Sequence, residues 1–517
     1  MPEHGRPALV MLGLDLGDLG LIEAWSRSGD LPHIAGLLAK GVLRCTRSSA
    51  ETLHVSAWPS LYTGVHPGEH GVYFTFQPEP GRQGHRRFFE GLYGRPTFWR
   101  LLADAGVRCT VFDAPYAQPE PGEGLSQVID WGAWAQYLGF RTVPPALGGP
   151  FRGSVGEYPL GLEAHDVGLD PIAPDRIGPG LVEGTKARVD AALWLLHDRP
   201  CDVFLLVFGE THAATHYCWP GEGQYSDSRQ LGDLVHGGPS GLDWLRKVYR
   251  EIDAGIGRLL VDLPADTTVC LFSPDSARSR HGGWHLLPEA LRRLGYLFEP
   301  APSEHERVPG GGGVVRTVRD LLPKGFRKSL ARRLPTPIRD RLAQRVDSAF
   351  IDWGKTRAFC LPTDLEGCIR INLSGREPLG IVAPEDYAAT CGALADALSS
   401  FVDPATGGPV VKDVVVVRDV FEGARMGHLP DLVVIWEDAL QVGEMRSAEA
   451  GLIAGPSPDG RPGTHGAAGF VLAAGPRADE IWGGVKDVRD IALAALRTFG
   501  VDAPPHLLRG ELTGRDG

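Results

Sequence analysis

The stretch GETHAATHYCW, residues 209–219, sets two imidazoles, His212 and His216, four positions apart. On a helix that spacing puts both on one side, where they can converge on a single ion. His465, between Gly463 and Gly466, offers a third ligand from a loop expected to lead into the apolar run GFVLAAGP. Three neutral imidazoles with one open position form a catalytic zinc arrangement. The 212/216 pair alone fits two histidines on a surface helix equally well. Two carboxylates close apolar runs: Asp15 ends ALVMLGLD and Asp275 ends TTVCLFSPD. Such a carboxylate is either a helix N-cap or a hard ligand for a cation. Taken together, three histidines and two carboxylates suit a pair of cations that clamp the attacking and departing oxygens of a phosphoryl transfer. A last polar group, ETLHVS at 51–56, precedes the helix-like AWPSLYTG and supplies Thr52, His54 and Ser56. Backbone N–H groups at that helix start would favour an anion. In the structural alternative Ser56 caps the helix and His54 packs.

These groups need a scaffold that brings remote segments to one edge. The runs at 8–15, 107–115, 202–208 and 267–275 are apolar without alternation, as strands buried on both faces of a parallel sheet are. Helical patterns lie between them at 96–106, 186–198 and 244–263. Strand, helix, strand alternation predicts a doubly wound, mostly parallel α/β sheet with helical and loop insertions, whose ligands gather at the carboxyl ends of the strands. Asp15, the 210–216 segment and Asp275 all fall at those ends.

Near residue 300 the texture changes. EPAPSEHERVPGGGG is turn-rich, and residues 316–345 carry ten Lys or Arg against two Asp, read as a basic insertion or lid or as solvated helices broken by prolines. The expected organisation is a core begun by 1–299, an insertion at 300–345, and a part at 346–517 that completes the same sheet with 371–382, 413–421, 430–436 and 469–476. The formal charge of -12 argues against nucleic acid as main partner and leaves an anionic small molecule to be met by a local pocket. Eight scattered cysteines without CxxC spacing predict reduced, packed thiols. No segment reaches the length of a membrane span, and a cytoplasmic enzyme is the simplest reading. Nothing here speaks against a homo-oligomer.

GLDLGD, SAWPSLYTGVHPGEHGV, VYREIDAGIGRLL, DWGKTRAF, INLSGREPLGIV, LPDLVVIW and GTHGAAGFVLAAGP, in that order, resemble the alkaline phosphatase superfamily. They are most similar to its type I phosphodiesterase/nucleotide pyrophosphatase branch. The resemblance implies one or two divalent ions such as Zn2+, held by Asp15, Asp275, His216 and His465, and a Thr or Ser nucleophile before the AW helix. This chain departs in three places: His212 stands where D-x-x-x-H has Asp, Ser276 follows Asp275 where His is usual, and the nucleophile position falls on His54. The resulting expectation is one site of His212, His216 and His465 and a second of Asp15 and Asp275 with His54. His54 would then be a ligand, a base for water or itself the attacking group, with Thr52 as the alternative. The implied activity is metal-dependent hydrolysis of phosphate esters, of phosphodiester or nucleotide-pyrophosphate type. The alternatives are a transferase or a hydrolase of another bond in specialised metabolism, or an inactive binding protein on the same fold.

Overall fold

A computed structural model describes residues 6–88, 91–132, 138–160, 172–220, 228–232, 240–300, 351–438 and 441–507. The basic segment 316–345, and with it all but residue 300 of the expected insertion, lies outside them. Eight strands form the main sheet, in the order Val42–Thr46, Gly469–Ala474, Thr268–Ser273, Leu9–Leu14, Val203–Phe208, Cys109–Phe112, Leu125–Ile129 and Arg141–Val143. The five strands from Thr268–Ser273 to Leu125–Ile129 run parallel. Gly469–Ala474 and Arg141–Val143 run antiparallel to their inner neighbours.

Every residue of LVMLGL, VFLLVF and TVCLFS is buried, because helices cover both faces. Val10, Leu12, Phe204 and Leu206 face one layer, against Leu21, Ile34, Leu181 and Val248. Leu9, Met11, Val203 and Leu205 face the other, against Leu61, Trp99 and Ile491. Each such side chain contributes about 1.5–3 kcal/mol on burial, which fixes the strand register and so the height of the residue that follows each strand. Gly13 matters locally: a Cβ there would stand 3.0 Å from the Trp58 ring and from Val207, so glycine lets the tryptophan lie across the sheet.

The later part departs from expectation. Ala358–Cys360, Gly367–Ile371, Leu432–Trp436 and Val411–Val416 form a separate four-stranded antiparallel sheet, and among the described residues of 346–517 only Gly469–Ala474 joins the main one. The segment at 413–421 is a strand only to Val416 and turns helical over Val417–Val420. Exposed Lys412 and Asp413 show why: this strand has a solvated side, which an antiparallel edge tolerates and the doubly covered parallel sheet does not. Helix Tyr387–Ser399 packs on this second sheet around its own core, which includes Ile369, Leu394 and Val433. All eight cysteines are free. Among the described residues no helix is long and apolar enough to cross a membrane.

Candidate active site

Three parallel strands deliver their successors to one rim. Asp15 follows Leu9–Leu14, helix Glu210–Cys218 follows Val203–Phe208 after one glycine, and Asp275 follows Thr268–Ser273. Asp15 is not a cap. That role belongs to Asp18, whose carboxylate accepts from Leu21 N–H, while Asp15 Oδ1 accepts from Trp58 Nε1 at 2.8 Å. His465 sits in the short strand Gly463–Gly466 rather than a loop, paired antiparallel with Ser276–Ser279 so that it stands opposite Ala277.

The helix holds His212 and His216 on one side with ring centroids 4.6 Å apart, and His465 stands 5.1 and 5.4 Å from them. One nitrogen from each of the three rings lies within 4.8 Å of the others. Each Nδ1 faces an oxygen: Asp15 Oδ2 at 3.0 Å from His212, Gly463 O at 2.8 Å from His216, and Asp275 Oδ2 at 2.8 Å from His465. A carbonyl can only accept, so His216 carries its proton on Nδ1 and its lone pair on Nε2. The close approach behind this contact depends on Gly463, where a Cβ would meet Thr215 O at 2.1 Å.

Burial, then the Arg461 charge, holds His216 well below the usual imidazole range; burial, then His54, does the same to His465. Both rings are therefore neutral near pH 7. Burial works to raise Asp15, but His212, the Trp58 hydrogen bond and His465 together keep this carboxylate low. Asp275, buried and next to the Asp15 charge, is pushed up to about 8.

His54 belongs to a different arrangement. It lies in the turn His54–Ser56, ring centroid 4.5 Å from that of His465. Its Nδ1 is 2.7 Å from Glu366 Oε2, its backbone N–H donates to Glu366 Oε1, and its Nε2 is 3.3 Å from Asp364 Oδ1. Burial would depress its pKa, yet the charges of Glu366 and Asp364 carry it to about 10. Ser56 does not cap the following helix; its hydroxyl donates to Leu53 O and Ser49 Oγ. Thr52 lines a cleft of about 580 Å³ together with Arg278, His281, Glu366, Lys412 and His465. Arg278 and Lys412 are both paired with Asp438 on its wall.

Four neighbours were not legible beforehand. Asp364 and Glu366 come from the loop between Ala358–Cys360 and Gly367–Ile371 of the second sheet, so no main-sheet pattern points to them. Arg461, only 5% exposed, binds Asp459 through Nη2 and Nε at 2.8 and 3.0 Å and Asp364 at 2.9 Å, and sets its Nη1 3.3 Å from His216 Nε2. The run PDGRPGTHG, with Asp459 and Arg461 shortly before His465, was the available signal.

Residues 9–276, just over half the chain, match the model of the family described as type I phosphodiesterase / nucleotide pyrophosphatase. The chain belongs to that family. It is thereby a phosphoester hydrolase of the alkaline phosphatase superfamily, as the sequence motifs imply. No curated protein matches the sequence. Among solved structures, the phosphonoacetate hydrolase of Sinorhizobium meliloti 1021 bound to phosphonoformate aligns over 96% of each chain at 13% identity and TM-score 0.50. Murine ectonucleotide pyrophosphatase / phosphodiesterase 5 in complex with AMP aligns over 97% of each at 11% identity and TM-score 0.48. At 13% identity the likeness of this phosphodiesterase-family chain to the phosphonoacetate hydrolase is one of fold, and the doubly wound α/β architecture agrees with it.

Proposed function

We propose that this chain hydrolyses phosphodiesters or nucleotide-type pyrophosphates with one divalent cation, of which zinc suits the donors, held by Nε2 of His212, His216 and His465. The observation that carries the reading is the three-imidazole cluster, with Nδ1 of His216 and of His465 hydrogen-bonded to an oxygen and that of His212 3.0 Å from Asp15 Oδ2. That is how ligand histidines are oriented and their tautomer fixed. A tetrahedral ion with bonds of about 2.0–2.1 Å spaces its ligands ~3.4 Å apart, so the set, whose nitrogens lie within 4.8 Å of one another, fits after a contraction of up to ~1.4 Å. A bound cation supplies a Lewis acid that lowers the cost of charge developing on the phosphoryl oxygens.

The chain's own residues do the rest. Asp15 and Asp275 orient His212 and His465 from behind, a use of these carboxylates different from direct ligation. His54, with both ring nitrogens directed at carboxylates, has no lone pair to attack with in this arrangement, so the attacking group is solvent water. It acts instead as a fixed cation beside His465. The cleft with Arg278 and Lys412 on its wall receives an anionic small molecule. Thr52 lines that cleft beside His465, which favours a second reading in which its hydroxyl attacks. Mass analysis after brief exposure to substrate separates the two, since only the second leaves a phosphorylated Thr52.

Protein purified without chelator should carry about one zinc per chain and turn over bis(p-nitrophenyl) phosphate. His216→Ala should lose the metal and lower kcat/KM by on the order of a hundredfold or more, because losing a ligand exceeds the roughly 10–100-fold cost of losing its outer partner. Metal bound without turnover of any phosphodiester would favour a transferase or a hydrolase of another bond. No metal, and none taken up on addition, would leave a binding protein.

A further inference from the structure

The guanidinium of Arg461 occupies a position that the metal reading does not use. It is buried, held in place by Asp459 and Asp364, and directs Nη1 at His216 Nε2 from 3.3 Å. Because Nδ1 of this ring is committed to Gly463 O at 2.8 Å, Nε2 is the lone pair, and it accepts from Arg461. A lone pair serves one acceptor role at a time. The same electrons cannot hold both an arginine N–H and a cation, so ligation by His216 requires Arg461 Nη1 to leave.

The displaced guanidinium has a limited range. Its Nη2 stays tied to Asp459 Oδ2 and Asp364 Oδ2 at 2.8 and 2.9 Å, and Asp364 also approaches His54, which packs on His465. Arg461 therefore remains at the edge of the imidazole cluster, its charge answered by Asp459 and Asp364. Its Nη1, once parted from His216, is a buried donor that needs a new acceptor. A phosphoryl group fits that place: one oxygen toward the cation and another toward Nη1, in the manner guanidinium groups take phosphate.

Resting on the metal reading, we propose that Arg461 is the phosphoryl-binding residue of this site and that it couples the two ligands: phosphate releases Arg461 from His216, so anion and metal bind cooperatively. In the ion-free protein Arg461 holds the His216 lone pair. In the ternary state it holds a non-bridging phosphoryl oxygen. By linkage, phosphate must tighten zinc by the same factor as zinc tightens phosphate.

The test is zinc affinity of the full chain, read by competition with a chromophoric chelator, with and without inorganic phosphate. Phosphate should tighten zinc by about tenfold, within the usual range of such coupling. Arg461→Gln should bind zinc alone more tightly than wild type by a similar factor and lose the response to phosphate. Arg461→Lys, which keeps the charge against Asp459 and Asp364 but not the reach to two groups, should retain only part of the response. Zinc that binds wild type and is lost in His216→Ala, yet is indifferent to phosphate, overturns this proposal and leaves the metal reading intact. Wild type that takes up no zinc at all overturns the metal reading and this one with it. The wild-type comparison needs no variant to fold.

Discussion

Helix Glu210–Cys218 presents two buried polar clusters, one on either side, and they are built on opposite plans. Glu210 belongs to the first, accepting from Arg188 Nε at 2.8 and 3.0 Å and from Tyr158 OH at 2.8 Å. Arg188 Nη1 reaches Asp113 at 2.7 Å and its Nη2 reaches Gly132 O, all with side chains at 0% exposure. Donors and acceptors there answer one another, and the cluster is closed. Two residues along, His216 anchors its Nδ1 on Gly463 O and turns Nε2 to Arg461, while His212 stands 3.0 Å from Asp15 and one nitrogen of each ring comes within 4.8 Å of His465's. A closed network of buried charge specifies packing; an open one with lone pairs turned to a common point is prepared for a ligand. Burial and ionisable residues are common to both, so neither property alone marks the site.

The sharpest break between the two is in stability. Arg188→Met leaves the Glu210 and Asp113 carboxylates buried without their cation, and should cost about 3–5 kcal/mol in urea unfolding. His212→Ala removes a ring that is 13% exposed and leaves Asp15, which can take up a proton in answer, without its nearest partner; in metal-free protein it should cost less than the arginine change, about 1–2 kcal/mol. If both variants lose stability alike, the imidazole cluster is as structural as the arginine one and the distinction falls.

Much of this was readable because parallel strands announce themselves. LVMLGL, VFLLVF and TVCLFS are apolar on both faces, which fixes strand ends and so the height of Asp15, helix 210–218 and Asp275. The His212/His216 spacing and the lone His465 beside glycines gave the three imidazoles that come together. What stayed hidden came from another layer. Asp364 and Glu366 sit on a loop of the second sheet, and their meeting with His54 depends on how the two sheets pack, for which no local period exists. The same gap explains why 371–382, 413–421 and 430–436 were expected in the main sheet: DVVVVRDVF reads as an apolar run, and only the packing leaves Asp413 exposed at the edge of a second sheet.

A smaller effect tests the carboxylates behind the rings. Asp275→Asn keeps an acceptor oxygen for His465 Nδ1 but cannot give up a proton to become the carboxylate that a bound cation favours, and should weaken zinc by roughly tenfold, the low end of what losing an outer-shell partner costs. Asp275→Ala removes the acceptor as well and should approach a hundredfold. Were Asp275 itself a ligand, as the family resemblance implies, the asparagine variant would lose the metal as completely as His216→Ala does.

The smallest effect concerns His54 and is a matter of sign. Its pKa rises from the ordinary 6.5 to about 10 in the folded chain, through Glu366 and Asp364 acting against burial. A group raised on folding adds stability that is complete below its unfolded value and is lost as pH climbs through the folded one. Metal-free wild type should therefore lose stability from about pH 6.5 to about pH 10. Asp275, at about 8, contributes a decline of its own in the lower part of that window, so the informative interval is above it. Between pH 8 and pH 10 the urea midpoint of Glu366→Gln should fall less than that of wild type, because His54 has lost the Glu366 charge that holds its proton. Buried phenols, and buried thiols other than that of Cys368, which Glu366 also raises, titrate alike in both proteins and cancel in the difference. Parallel curves over that interval would mean that His54 is not held as a cation by Glu366, and with that the argument that it cannot attack phosphorus would lose its basis.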